Sequence, residues 1–98
     1  AERSGVRAVV HTEGIRAYPG AREAADSGVR TGGDRRNREY VEAHVDSTAS
    51  DTGEALCYDP QTSGGLLAAV DAAVAESLGD DWWRVGVVEA GAAAIVLR

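Results

Sequence analysis

Residues 59 to 70 read DPQTSGGLLAAV: an Asp-Pro turn, an amide, two hydroxyls and a glycine pair set directly before an uncharged apolar run. Pro60 fixes one backbone angle, and Asp59 and Thr62 carry oxygens that accept from nearby backbone N–H groups. Gly64 and Gly65 remove side chains, so another backbone or an anion can come close. Gln61, Thr62 and Ser63 add neutral hydrogen-bonding groups. Two readings follow. The stretch is a turn held by its own side chains ahead of a core strand, or a loop facing a phosphate-bearing ligand or a partner's active site. In both, Gly65 to Val70 has the length and apolarity of a buried strand, and a strand there makes the chain a mixed α and β domain.

The flanks extend that reading. Asp51 to Tyr58 opens on an Asp or Thr cap, carries acid in its first turns and stops before Pro60, as a short helix does. Asp71 caps a helix running to Leu78, in which Val70, Val74 and Leu78 recur on one face and Gly79 ends the element. Trp83 to Glu89 and Ala93 to Leu97 read as strands, with Ala90-Gly91 as a hairpin turn between them. Upstream, Gly5 to Thr12, GVRAVVHT, is a strand, and Ala21 to Ser27 is a helix stopped by Gly28. The Thr31-Gly32-Gly33-Asp34 centre is a loop, because adjacent glycines disfavour both regular structures. Asn37 to Val45 fits a helical turn or a strand, and the alternation of Val41, Ala43 and Val45 favours the strand in its second half. Strands interleaved with short helices give an α/β (α+β sandwich) fold with a mixed sheet.

At 98 residues the chain is a single domain, and one of that size buries only roughly 60 to 65% of its unfolded surface. Phe and Met are absent, so the core is thin and built mostly from Val and Ala. A net charge of −6 disfavours nucleic acid, whose phosphates are held by Lys and Arg. All ten basic residues are Arg, which removes every mechanism that needs a Lys amine. Cys57 is the only cysteine and has no disulfide partner within the chain, and no CxxC or HxxxH spacing points to a metal. No run approaches the length of a membrane span and no signal peptide opens the chain, so a reducing cytoplasm is expected. The start, AERSGVRAVV, lacks Met and enters a strand at once, as a piece of a larger protein would.

Among the arginines, Arg30, Arg35, Arg36 and Arg38 could clamp a phosphate bidentately, with Arg35 and Arg36 as the central pair. Asp34 and Glu39 lie among them, and mixed charge of this kind also describes a solvated face. Cys57 sits in an apolar helical stretch, where a small buried residue is the commoner use than a nucleophile. Of Trp82 and Trp83, one ring is expected to pack inward.

DPQTSGGLL, preceded by Ala55, Leu56 and Cys57, resembles the signature near the C-terminus of the selenide, water dikinases, or selenophosphate synthetases. Other parts follow in the same order. GVRAVVHTEGIRAYPGAREAADSGV is similar to that family's strand, loop and helix, TGGDRRN to its Gly-Gly-to-Asn stretch, and WRVGVVEAGAAAIVLR to its closing segment. The resemblance implies the C-terminal domain of the aminoimidazole ribonucleotide synthetase-like (PurM-like) fold, with residues 1 to 98 forming part of that domain. It implies a parent enzyme that converts ATP, selenide and water to selenophosphate, AMP and phosphate. That enzyme's ATP, magnesium, reactive Cys or selenocysteine and Lys belong to an N-terminal ATP-binding domain, and its full-length form is expected to be a homodimer. This chain would then have no catalytic residue and no metal ligand, and would wall the active-site cleft or brace the dimer. The residues facing the cleft would be Asp59, Gln61, Thr62, Ser63, Gly64 and Gly65, with Gly32, Gly33 and Asn37 as a second glycine-rich loop. The competing reading is a stand-alone, non-catalytic module of the same fold that binds a partner or a small anion.

Overall fold

A computed structural model of the chain describes residues 1 to 60 and 64 to 98. Its elements are β1 (Val6–Val10), α1 (Ala21–Asp26), α2 (Asp34–Val41), β2 (Val45–Ser47), α3 (Asp51–Tyr58), α4 (Ala72–Ala75), β3 (Gly86–Ala90) and β4 (Ala94–Leu97). Short 3-10 turns at Thr12–Gly14 and Glu42–His44 follow β1 and α2. The strands form one mixed sheet in the order β2-β4-β1-β3, with β1 parallel to β4 and antiparallel to β3, and β2 parallel to β4. This is an α+β fold consistent with the PurM-like C-terminal domain. No described helix is long and apolar enough to cross a membrane.

The core is as thin as the composition requires. Its buried apolar residues are Val9, Ala25, Ala55, Val96 and Leu97, with Val9 in the central strand only 2% exposed. Thr12 joins the sheet to the helices. It is 1% exposed, its hydroxyl donates to the Arg98 carbonyl at 3.0 Å, and its own carbonyl accepts from Arg22 Nη2 of α1 at 3.1 Å. Gly53 of α3 lies against it so closely that an added Cβ would come 2.5 Å from Thr12 Oγ1. The end of β1, the end of β4, α1 and α3 therefore meet at one buried hydroxyl.

Local chemistry explains the helices. Gly28, at φ +88, takes the left-handed position that closes α1, and the amides of Gly28 and Val29 return to the carbonyls of Ala25 and Ala24. Ser50 caps α3 by accepting from the Gly53 amide at 3.1 Å, ahead of the Asp or Thr cap expected.

Several expectations are corrected. The second half of Asn37 to Val45, read as leaning toward a strand, ends α2 at Val41 and passes through the 3-10 turn Glu42–His44. The ion pairs Asp34 with Arg38 and Arg35 with Glu39, both at i,i+4 spacing, stitch α2 together, and only Val45–Ser47 is strand. Asp34, placed in the loop, is the first residue of that helix. The β3 and β4 strands do not form a hairpin, because β1 lies between them. Gly91 lies where the connection passes Arg7, whose Cβ would be 3.9 Å from a Cβ added there.

A further correction concerns Gly65 to Val70, which has no regular secondary structure and is exposed throughout. The expected helix after it shortens to Ala72–Ala75, and the face of Val70, Val74 and Leu78 meets solvent instead of core. Periodicity reports which side chains want cover, and this chain offers those residues none. The last concerns the tryptophans. Neither ring is buried, and Trp83 instead receives the Arg16 guanidinium over its face, 4.3 Å from the centroid.

Candidate functional site

The two glycine-bearing stretches singled out in the sequence are brought together. α2 begins immediately after Gly33, and α3 delivers Asp59 and Pro60 immediately after Tyr58. The two meet at Gly33, where a Cβ would collide with the Pro60 ring, reaching its Cβ at 3.0 Å and its Cδ at 3.1 Å. One turn further along α2, Asn37 Nδ2 donates to the Tyr58 carbonyl at 2.8 Å. That bond satisfies one of the terminal carbonyls of α3 and fixes the exit of the chain toward residue 59.

Behind this contact lies an ion-pair network. Arg38 donates through Nε to Asp34 Oδ1 at 3.0 Å and through Nη1 to Glu54 Oε2 at 2.5 Å. Its guanidinium plane also lies over the Tyr58 ring, 4.3 Å from the centroid. A hydrogen bond from Ser47, then that from Arg38, holds the Glu54 carboxyl below its ordinary value. Burial opposes the charge on Arg38, but its bonds to Glu54 and Asp34 outweigh it and raise its pKa. Burial, and then the charge of Glu54, pushes the Tyr58 hydroxyl up. Asp34 is 7% exposed, and its Oδ2 is buried without a hydrogen-bond partner among the described residues. An open cleft of about 390 Å³ lies beside the network, lined by Arg35, Arg38, Ser47, Glu54 and Tyr58 among others.

The remaining candidates are placed as follows. Asp59 is half-buried and caps α3 in an extended conformation. Gln61, Thr62 and Ser63 lie outside the described residues. Gly64 and Gly65 are exposed, and a Cβ on Gly65 would stand 4.0 Å from the Trp83 ring. Gly32 is exposed, with open space where a Cβ would go. Arg35 pairs with Glu39 at 3.0 Å on the outer face of α2, and Arg36 is exposed. Arg30 and Arg38 are engaged internally, Arg30 by the carbonyls of Ala25 and Val29. The Cys57 thiol is pushed up by burial, as suits a packing residue more than a nucleophile.

Sequence reasoning missed the network of Asp34, Arg38, Glu54 and Tyr58. The i,i+4 spacing of Asp34 and Arg38 was available as a signal, and Glu54 carried none. Among the described residues no three His, Cys, Asp or Glu side chains come together as a metal site. The described side chains therefore do not assemble a magnesium centre.

Three curated relatives share a name. The chain is 45% identical over 71 residues, 72% of its length, to the selenide, water dikinase of Pasteurella multocida. It is 36% identical over 77 residues, 79% of its length, to that of Haemophilus ducreyi. It is 34% identical over 92 residues, 92% of its length, to that of Clostridioides difficile. Over most of its length the chain is thus similar to a stretch of the selenide, water dikinases. It spans only 20% to 26% of the length of these relatives. No protein-family profile matches it. The likeness to selenide, water dikinases that the DPQTSGGLL signature carried is thus met by independent comparison.

Proposed function

We propose that this chain is the C-terminal part of a selenophosphate synthetase, serving an enzyme that turns ATP, selenide and water into selenophosphate, AMP and phosphate. Its part is to wall the active-site cleft or brace the dimer of the full-length protein, in the cytoplasm, without catalysing anything alone. ATP and magnesium are held by the N-terminal ATP-binding domain of the parent, which is this chain's principal partner. The observation that carries the reading is the meeting of the two glycine-bearing stretches at Gly33 and Pro60. It sets Asp59 and Pro60, which open the DPQTSGG stretch, on a helix end, and residues that shape a reaction cleft need such rigid support.

The test is a graft in which residues 1 to 98 replace the matching stretch of the Pasteurella multocida relative, assayed for selenide-dependent conversion of ATP to AMP. An active graft is expected, and replacement of Gly64 and Gly65 by Val should remove activity while moving the melting temperature little. A folded but inactive graft would refute the reading. Equal losses of activity and melting temperature in the Val variants would reduce the loop to a structural turn.

A further inference from the structure

The chain leaves α3 between two grips that both come from α2. On one side of Asp59, Asn37 Nδ2 donates to the Tyr58 carbonyl at 2.8 Å. On the other, the Pro60 ring is stacked on Gly33. The grips are tied to each other, because the Asn37 backbone amide donates to the Gly33 carbonyl at 2.9 Å. α2 is in turn fixed on α3, where Arg38 bonds Glu54 and lies over the Tyr58 ring. Asp59 is thereby held extended, at φ −62 and ψ 127, as a residue before proline prefers. Pro60 cannot continue the helix, so the terminal carbonyls of α3 need donors from outside it. Asn37 supplies one.

We propose that Asn37 is a positioning residue for the reaction of the parent enzyme: it acts through the Tyr58 carbonyl rather than on a ligand, and sets the direction in which the chain passes into Asp59 and Pro60. This rests on the reading of the chain as part of a selenophosphate synthetase. The residue type fits the task. Asparagine is a weaker helix former than Ala, Leu or Arg, so its place inside α2 costs helix stability that the bond across to α3 offsets. Its amide also donates without adding charge to the ion pairs beside it. Loss of the bond should turn Asp59 and Pro60 away from the cleft they help to wall, and a misplacement of about 1 Å can cost about a hundredfold in rate. ATP, held elsewhere in the parent, should bind as before.

The test places Asn37→Asp and Asn37→Gln in the Pasteurella multocida graft and follows selenide-dependent conversion of ATP to AMP. Asp keeps the size of the side chain and loses the donor, so kcat should fall at least about tenfold while the KM for ATP stays within about twofold. Gln keeps the donor on a longer arm and should recover most of the lost kcat. Thr12→Val serves as the control, since it removes another buried hydrogen bond, to the Arg98 carbonyl, against the start of α3 instead of its end. It should lower the melting temperature and leave kcat unchanged. An unchanged kcat in Asn37→Asp overturns the proposal, and so does a raised KM with kcat intact, which would put Asn37 on the ligand. A fall in kcat as large in Thr12→Val would make the effect one of stability alone and overturn it too. Should the Asp variant not fold, Asn37→Ser carries the test under the same criteria. An unsubstituted graft without activity overturns the proposed function and this inference with it, whereas an active one insensitive to Asn37 overturns this inference alone.

Discussion

Pro60 stacks on Gly33 with no room for a methyl group between them. Gly33 has φ −87 and ψ −25, a conformation open to any residue, so its smallness answers to the proline ring and not to its own backbone. Gly33→Ala should therefore cost about 1 to 3 kcal/mol through overpacking. Gly32→Ala, with open space around it, should be near neutral. Urea unfolding of the two variants side by side checks this, and equal stability would show that the contact yields without strain.

Glu54 gives the fold an acid-sensitive point. Its folded pKa is lowered by Ser47 and Arg38, so its contribution is fully present above the unfolded carboxylate value and is lost as pH falls through the folded one. Stability should decline from about pH 5 toward pH 3, and Glu54→Gln should flatten that part of the profile while lowering the neutral-pH plateau. Unfolding free energies across this range provide the measurement. A wild-type slope retained in the variant would place the acid sensitivity elsewhere.

Arg38 holds both carboxylates and the Tyr58 face, so Arg38→Ala leaves the buried Asp34 and the half-buried Glu54 without their cation. A loss of about 1 to 3 kcal/mol is expected. Arg38→Lys should recover only part of it, because an ammonium cannot serve two carboxylates and lie flat on an aromatic ring at once. Thermal unfolding of the two variants decides this, and full rescue by Lys would make the network simple charge balance.

What was legible in the sequence was local. β1, α1, α3, β3 and β4 announce themselves through β-branched runs, a left-handed Gly28 and capping hydroxyls, all of which act within a few residues. Sheet order was not legible. Nothing in Ala90-Gly91 distinguishes a hairpin from a connection that passes the end of β1, since that choice depends on which strand edge Val9 buries. α2 was only partly legible, because Asn37 to Val45 fits a helical turn or a strand and the alternation of Val41, Ala43 and Val45 spans the end of α2 and the start of β2. The composition of the candidate loops was readable, but their meeting was not. Gly33 and Pro60 become neighbours only after α2 and α3 pack, and Thr12 becomes a hub only when Arg98 and Arg22 arrive.

Cys57 should behave as a packed thiol. Burial raises its pKa, with Glu54 adding to the shift and Arg22 and Arg38 opposing it. At neutral pH the thiolate fraction is then smaller than that of a free cysteine, and alkylation depends on the thiolate. Iodoacetamide should label the native chain at least about tenfold more slowly than the urea-unfolded chain. Comparable rates would mean an exposed, activated thiol and would reopen a chemical role for this residue.

Gly86 is the most demanding glycine in the sheet. A Cβ built there would run into the Val9 carbonyl and lie 3.1 Å from Val10 Cα, and both obstacles are backbone of the central strand. Side chains can turn aside, whereas β1 cannot, because it is paired to β3 on one edge and to β4 on the other. Gly86→Ala should thus separate β3 from β1 or bend both, costing about 3 kcal/mol or more. A domain of this size has about 5 to 15 kcal/mol in total, so the variant should show a clearly lower urea midpoint. Val88, exposed on the same strand, gives the contrast, because Val88→Thr should stay within about 0.5 kcal/mol of the parent. If Gly86→Ala proved as mild as Val88→Thr, the β1 and β3 pairing would have to be looser than its register implies.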